Sequence, residues 1–373
     1  YTTITKNTVK DNLNVGGASH GSGILVNGNT RIEKNTVDHN TFNTSYGGTQ
    51  SGVGGGVIVI GGDSSVINAN LIIRNTGHSG AGLMLDEGAN ALITNNIVAR
   101  NYSYQRGGGI RIDGIGTNSF SYATLVNNTI VFNTQGANPD GNGGHGLHVT
   151  DAKVTGANNL FWGNGEGNND LYLSGDNSTL ELSHSLLNDF ALTNPQNDLG
   201  SALSLGNTNI LAGTAITNPH FIDTASDNFR LAWESPLADS GVSSFGTPNA
   251  VPAQDFDGGN RPVGSSVDIG ADEVGSGLNT AHPRLLLTPA IKAKLVAKMQ
   301  ENDAAWVILK ARANQLKNYT VTQYKTSTAY NWFAGTLFYG YQGNSWYDDI
   351  IPLAFAWQIS GDTNYCNKLI EVA

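Results

Sequence analysis

The sequence has one cysteine, two methionines and ten prolines in 373 residues, and only 13% of it is charged. The lone Cys366 excludes an internal disulfide framework and belongs to no zinc-type Cys/His spacing. No apolar run approaches the roughly 20 residues that span a bilayer. A net charge of −10 argues against nucleic acid as a partner. Low charge combined with 39% apolar residues argues against intrinsic disorder. What the chain has instead is 47 glycines and 44 asparagines. Both are poor helix formers, so the bulk of the chain is not a helical bundle. The length suits two or three domains. The chain opens at Tyr1 without Met or an apolar leader and closes at Ala373 inside a helical pattern. It therefore reads as a fragment, and the missing leader carries no statement about export.

An internal repeat runs through the first half. An apolar residue is followed three positions on by Asn, and five further on by a second Asn: Ile4-Asn7-Asn12, Ile32-Asn35-Asn40, Ile67-Asn70-Asn75, Ile93-Asn96-Asn101 and Leu125-Asn128-Asn133. Asn159-Asn164 is a weaker copy and His184 to Asp189 a degenerate one. Between copies, Gly-x-Gly precedes a short alternating stretch at Gly21, Gly54, Gly80, Gly107 and Gly144, and Asp170-Leu-Tyr-Leu repeats it without the glycines. Each repeat then holds two or three short strands. One repeat cannot bury its apolar face, but stacked repeats can. Gly and Asn tolerate positive φ at the corners. Asn recurring at one corner predicts a buried ladder in which each amide bonds the coils above and below.

The Asn-x-x-Ile-Val-x-x-Asn and Gly-Gly-Gly-Ile elements resemble the right-handed parallel β-helix repeat proteins of the pectate-lyase-like superfamily. The resemblance covers residues 1–190 and implies an all-β parallel solenoid. Such solenoids include lyases, hydrolases, epimerases and non-catalytic adhesins, so fold alone does not choose among them.

Residues 191–217 look irregular. The succession Asn218-Pro-His-Phe-Ile-Asp, Asp227-Asn-Phe-Arg-Leu, Ser235-Pro-Leu-Ala-Asp-Ser-Gly, Asp255-Phe-Asp-Gly-Gly-Asn-Arg-Pro and Asp268-Ile-Gly-Ala-Asp-Glu is similar to the C-terminal module of choice-of-anchor Q proteins. That resemblance implies a C-terminal cap over 191–276 in an exported bacterial protein. Asp255, Asp257, Asp268, Asp272 and Glu273 read either as a calcium clip or as turn chemistry with a carboxylate partner for Arg261.

From 277 the character changes. Thr288-Pro289 is an N-cap followed by Pro at the first helical position, and Ile291, Leu295 and Met299 recur as on an amphipathic helix. Further helices are expected over 303–317, 327–341 and 345–359, with another beginning at 363. His282-Pro-Arg-Leu-Leu-Leu-Thr-Pro and Leu353-Ala-Phe-Ala-Trp-Gln-Ile-Ser-Gly-Asp-Thr-Asn-Tyr resemble the opening of heparinase II/III-like and alginate-lyase-like α/α-toroids. The segment 277–373 is then a smaller all-α unit, a partial α/α toroid. Tyr330, Trp332, Trp346, Tyr347 and Trp357 either stack on sugars or pack helices together.

Alternation in the strands after each Gly-x-Gly points the first and third residues inward and the second and fourth outward. Stacked at about 4.8 Å, the second positions align Leu25, Ile58, Met84, Arg111, His148 and Tyr172. The fourth positions align Asn27, Ile60, Asp86, Asp113, Thr150 and Ser174. The outer face is thus expected to turn from apolar to polar at the middle coils. Two stacked carboxylates cannot both ionise freely, so Asp86 and Asp113 form an acid/base pair or a Ca²⁺ site. Arg111 then neutralises a substrate carboxylate, and His148 or Tyr172 moves the proton. Glu87, Arg106 and His145 are candidates for binding substrate, although Arg106, His145 and His78 also read as solvated loop residues. The alternative reading of the column is an ordinary polar strand face in which Arg111 pairs with Asp86 or Asp113.

Two functions follow. One is a secreted bacterial polysaccharide lyase that cleaves an anionic, uronate-containing glycan by β-elimination. The other is a non-catalytic surface or matrix protein that binds glycan or acts as a rigid spacer. Both are read as monomeric. Insertions at 41–53 and 134–143 are the expected walls of a groove.

Overall fold

The computed structural model describes residues 2–15, 21, 23–42, 54–116, 119–136, 144–165, 170–187, 202–206, 209–211, 216–232, 234–275, 289–319 and 346–372. They divide into two compact units, Tyr1–Gly277 and Leu278–Ala373.

The first unit is a parallel β-solenoid, as the repeat predicts. Each full coil carries four strands rather than two or three. In one coil these are Thr30–Glu33, Thr36–Asp38, Thr41–Phe42 and Val57–Ile60. Equivalent strands stack into four parallel sheets of eight, eight, five and six strands. The extra strands arise because two Asn corners, the Gly-x-Gly corner and a further turn break every coil into four sides. The corners hold left-handed backbone: Lys34, His39, Arg74, Asn95, Arg100, Asn127 and Phe132 all have φ between 53° and 56°. The core is the stacked inward positions, among them Ile32, Ile67, Ile93 and Leu125 on the first sheet and Val57, Leu83, Ile110 and Leu147 on the fourth, all fully buried. Truncating one of these to Ala costs about 2–5 kcal/mol.

The expected ladders are present. Asn7, Asn35, Asn70, Asn96, Asn128 and Asn159 form one. The backbone N–H of Asn96 donates to Asn128 Oδ1 at 3.0 Å, and the Asn96 amide donates there too at 3.1 Å. Asn128 Nδ2 in turn donates to the Ile93 carbonyl of the coil before, at 2.8 Å. Ser185 and Asn209 extend this ladder beyond the asparagines. The second ladder joins Asn12, Asn40, Asn75, Asn101, Asn133 and Asn164. It ends where Asn164 Nδ2 donates to the fully buried carboxylate of Asp170 at 2.8 Å. The buried ladder amides are thereby satisfied, which is the condition for burying one at all.

The solenoid also continues past residue 190. Ala202–Leu205 pairs in register with Thr179–Ser183, and Ile210–Leu211 with Leu186–Leu187. The expectation of an irregular 191–217 is corrected there: alternation in Ala202–Leu205 is short, and only the stacking template makes it a strand.

Residues 216–275 then lie along the flank of the second sheet. Ile216, Phe229, Leu231, Leu237, Ile269 and Ala271 pack on its outward side chains Ile73, Ile97, Ala99, Val131, Leu160 and Leu186. Three corner asparagines hold the module by polar contacts. Asn95 Nδ2 donates to the Gln254 carbonyl (2.7 Å), Asn127 Nδ2 to the Asp268 carbonyl (2.9 Å) and Asn158 Nδ2 to the Val242 carbonyl (2.9 Å). Within the module, Arg261 and Glu273 form a fully buried ion pair at 3.1 Å. Arg230 bonds both oxygens of Asp257 at 2.6 Å. The carboxylates of Asp255, Asp257, Asp268 and Glu273 are thus engaged by arginines and backbone N–H groups, as in the turn-and-ion-pair reading.

The second unit has four described helices: α1 (Pro289–Gln300), α2 (Ala304–Lys317), α3 (Trp346–Ser360) and α4 (Thr363–Val372). The Asp303 side chain caps α2 by accepting from the Ala305 N–H. Ala313, Leu316, Leu353, Ala356 and Tyr365 form its core. The helix expected over 327–341, with Tyr330 and Trp332, lies outside the described residues, as do the side chains of Trp346 and Tyr347. Trp357 packs against the core, as a helix-packing aromatic does. None of the described helices is long and apolar enough to cross a membrane.

Candidate active site on the fourth sheet

The register of the fourth sheet is the one the repeat implies. Leu25, Ile58, Met84, Arg111, His148 and Tyr172 are successive partners across neighbouring coils. In the fourth position Asn27 pairs with Ile60, Ile60 with Asp86, Asp113 with Thr150, and Thr150 with Ser174.

Exposure differs from expectation. The second-position side chains point away from the core, yet Ile58 and Met84 are fully buried and His148 is 1% exposed. The glycine four residues earlier packs closely against each of them. A Cβ on Gly54 would stand 2.1 Å from Ile58 Cδ1, one on Gly80 2.8 Å from Met84 Cβ, and one on Gly107 2.8 Å from Arg111 Cβ. Ile58, Ile60 and Met84 form a small apolar cluster of their own on this outer face. The groups within reach of solvent are therefore Asp86, Asp113, Thr150, Tyr172 and Ser174, all half-buried, and the exposed Glu87.

Arg111 is committed locally. One guanidinium nitrogen bonds Asp113 and another bonds Ser79 Oγ. Burial lowers its pKa, and the neighbouring Asp113 opposes that shift. Asp113 has its carboxyl pushed up to about 6, chiefly by burial; Arg111 pulls it down and Asp86 pushes it further up. The raised carboxylate pKa expected of the pair is thus found at Asp113, with desolvation as the larger cause and the like charge as the smaller. Arg106 lies close enough to act electrostatically on both Arg111 and Asp113.

Two histidines read as solvated are not. His78 is buried, and its pKa is lowered by desolvation and then by the Arg111 charge. His145 lies half-buried with its ring over Gly165, where a Cβ would come 2.4 Å from Nδ1. Its Nδ1 accepts from the Gln135 N–H at 3.1 Å, which places the ring proton on Nε2. Burial lowers its pKa also. His145 therefore supports the corner before the sheet.

His148 and Tyr172 stack with centroids 4.6 Å apart and planes 29° from parallel. His148 Nε2 lies 3.0 Å from Thr150 Oγ1, and Thr150 Oγ1 lies 3.0 Å from Ser174 Oγ. Ser79 was not legible as a partner of Arg111, because a register shift between Gly77 and Ser79 delivers it there. Among the described residues, no three His, Cys, Asp or Glu side chains gather in a way that holds a metal ion. Arg111 pairs with Asp113 and lies within electrostatic reach of Asp86, so a positive charge already stands beside the two carboxylates. The stretches 43–53 and 137–143 of the expected groove walls lie outside the described residues.

The family model described as "right handed beta helix region" matches residues 1–187, half of the chain. The chain belongs to that right-handed β-helix family. Comparison with the curated proteins and with the solved structures gives no match.

Proposed function

We propose that this is an extracellular bacterial polysaccharide-active protein, and that the outer face of the fourth sheet carries a lyase site for an anionic, uronate-containing glycan. The observation that carries the reading is Asp113. It is a partly solvent-accessible carboxyl that burial moves toward neutral pH, set between Arg111 and Asp86 on a long straight face. Groups displaced in this way are found at acid/base sites as well as in structural ion pairs, and Asp113 differs from the raised carboxyls of the flank module in lying on the polar outer face of the fourth sheet. In β-elimination a base takes the C5 proton, the C4–O4 bond breaks, and the leaving oxygen takes a proton. Asp113 in its protonated form is the donor to that oxygen. Arg111 orients Asp113 rather than meeting substrate, because its side chain is only 10% exposed and is already bonded. Tyr172 and Glu87 border the same face. The resemblance of residues 218–273 to an exported module, and of 277–373 to the start of a lyase toroid, supports the same reading.

The test is the ultraviolet absorbance of unsaturated uronate, with alginate, pectate, heparin, chondroitin and ulvan as substrates, each with and without Ca²⁺. A rise with one polymer that Asp113→Asn reduces by about a hundredfold or more is the expected result. Reducing ends without unsaturation would mean hydrolysis instead. The second reading, a non-catalytic glycan-binding surface protein, is favoured by the burial of Arg111 and His148. Retention on immobilised polymer with no product of either kind would establish it.

A further inference from the structure

His148 is 1% exposed and cannot touch a glycan, yet its Nε2 is not directed into the core. It bonds Thr150 Oγ1, which bonds Ser174 Oγ, each at 3.0 Å. Thr150 and Ser174 stand in the column that begins with Asp113: Asp113 pairs with Thr150, and Thr150 with Ser174, one coil apart each time. The column therefore presents a carboxyl and then two hydroxyls on successive strands, which stack about 4.8 Å apart, with the two hydroxyls drawn together to 3.0 Å. A ring nitrogen and two hydroxyls in series, all within hydrogen-bond distance, form a path along which protons can move. Tyr172 stacks on the imidazole, and Gly144 packs closely against both residues: a Cβ there would lie 3.0 Å from His148 Cβ and 2.8 Å from Tyr172 Cβ.

We infer that Ser174, Thr150 and His148 form a proton relay whose outer end, the Ser174 hydroxyl, meets substrate while the buried imidazole is its base. This rests on the lyase reading and supplies its missing half. In the step, Ser174 Oγ takes the C5 proton as its own proton passes to Thr150 Oγ1, and the Thr150 proton passes to His148 Nε2. The C5–H electron pair forms the C4=C5 double bond, and the C4–O4 bond breaks. O4 leaves with the proton of Asp113. The site is left with an imidazolium and a carboxylate, and one proton returning from the first to the second through solvent resets it. No oxidant, metal or co-reactant enters the balance. Ser174 is the catalytic group; Thr150 and His148 act through it.

The discriminating variants are Thr150→Val, which keeps the shape and removes the hydroxyl, and Thr150→Ser, which keeps the hydroxyl. With a polymer the wild-type chain cleaves, Thr150→Val and Ser174→Ala are each expected to lower kcat by about 10²-fold or more, the ordinary worth of a positioned proton-transfer group. Thr150→Ser should retain most of the wild-type kcat, and melting temperatures should show all three variants folded. Wild-type turnover with full activity in Thr150→Val would overturn the relay and leave the lyase reading standing. Equal loss in Thr150→Val and Thr150→Ser would also overturn it, because a packing defect does not distinguish the hydroxyl. No product from the wild-type chain on any polymer would overturn both.

Discussion

The second and fourth sheets are two sides of the same coils, yet their outer faces meet opposite fates. On the second sheet the outward side chains from Ile73 to Leu186 are mostly apolar, with Thr129 accepting from the Ala271 N–H, and a whole module lies over them. On the fourth sheet outward apolar residues stop at Met84, and Arg111, His148 and Tyr172 replace them in the next three coils. Contiguous apolar surface demands a cover, and the flank module satisfies that demand. A face that changes to charged and hydroxyl side chains makes no such demand. The corners tell the same story. Asn95, Asn127 and Asn158 direct their amides outward to clasp the module, whereas the glycines before the fourth sheet close on the strand itself.

The strongest way to break this comparison removes what both faces share. Asn128→Ala deprives the Asn96 N–H and amide of their acceptor inside the solenoid. The cost should be about 3–5 kcal/mol, seen as a collapse of the thermal transition and loss of both faces together. A variant melting within a few degrees of wild type would refute the ladder as the common frame.

Asp113→Asn should separate the faces. It is expected to abolish turnover while leaving the flank module in place. The pH dependence has a definite sign. With its pKa raised to about 6, Asp113 is protonated below that value, and the activity that needs its proton should fall as pH rises through about 6. The groups that set this limb are Arg111, Asp86, Asp151 and Arg106. A flat profile from pH 5 to pH 8 would remove Asp113 from the acid role.

The flank module should show the complementary dependence in stability. Burial, then Asp255 and Asp257, raise the Asp272 carboxyl to about 8, and burial raises Glu273 to about 7. Both pKa values lie above those of the unfolded chain. The stability they contribute is therefore complete below about pH 4 and is lost as pH rises through about 7 and 8. Asp272→Asn should remove much of that loss and raise the melting temperature at pH 9 by a few degrees, with little change at pH 5. An unchanged difference between pH 5 and pH 9 would show that the charge is compensated elsewhere.

Asn127→Ala should cost about 1–2 kcal/mol, because it removes two bonds to the module at the Asp268 and Gly270 carbonyls. Limited proteolysis should then cut within 216–275 sooner than in the wild type. The smallest effect belongs to Arg31→Ala. Arg31 and Glu33 form a surface pair on the first sheet, whose loss should stay within about 0.5 kcal/mol by denaturant titration.

The solenoid was legible because its periodicity is local chemistry. Asn at the two ladder positions and the Gly-x-Gly corners recur through most of the coils, and the register of the fourth sheet followed from aligning them. Burial on the outer face was not legible. Whether Arg111 or His148 meets solvent depends on how the preceding corner and the neighbouring coils pack around the side chain, and alternation within a strand carries no trace of that. The strands at Ala202–Leu205 and Ile210–Leu211 are legible only once the preceding coil stands ready as a template. The Asp113–Thr150–Ser174 column was implicit in the alignment, but its bonds to Arg111 and His148 are matters of side-chain direction.

By itself the sequence determined the repeat, the stacking register, the Asn ladders and the change of class near residue 277, because each rests on residue types at fixed spacing. Only the tertiary structure decided that residues 216–275 lie on the flank of the second sheet. It also decided that Arg111 is spent on Asp113 and Ser79, and that His148 reaches the surface through two hydroxyls. Those outcomes come from contacts between residues far apart in the chain, where packing and the need to pair every buried polar group choose among the partners that local pattern leaves open.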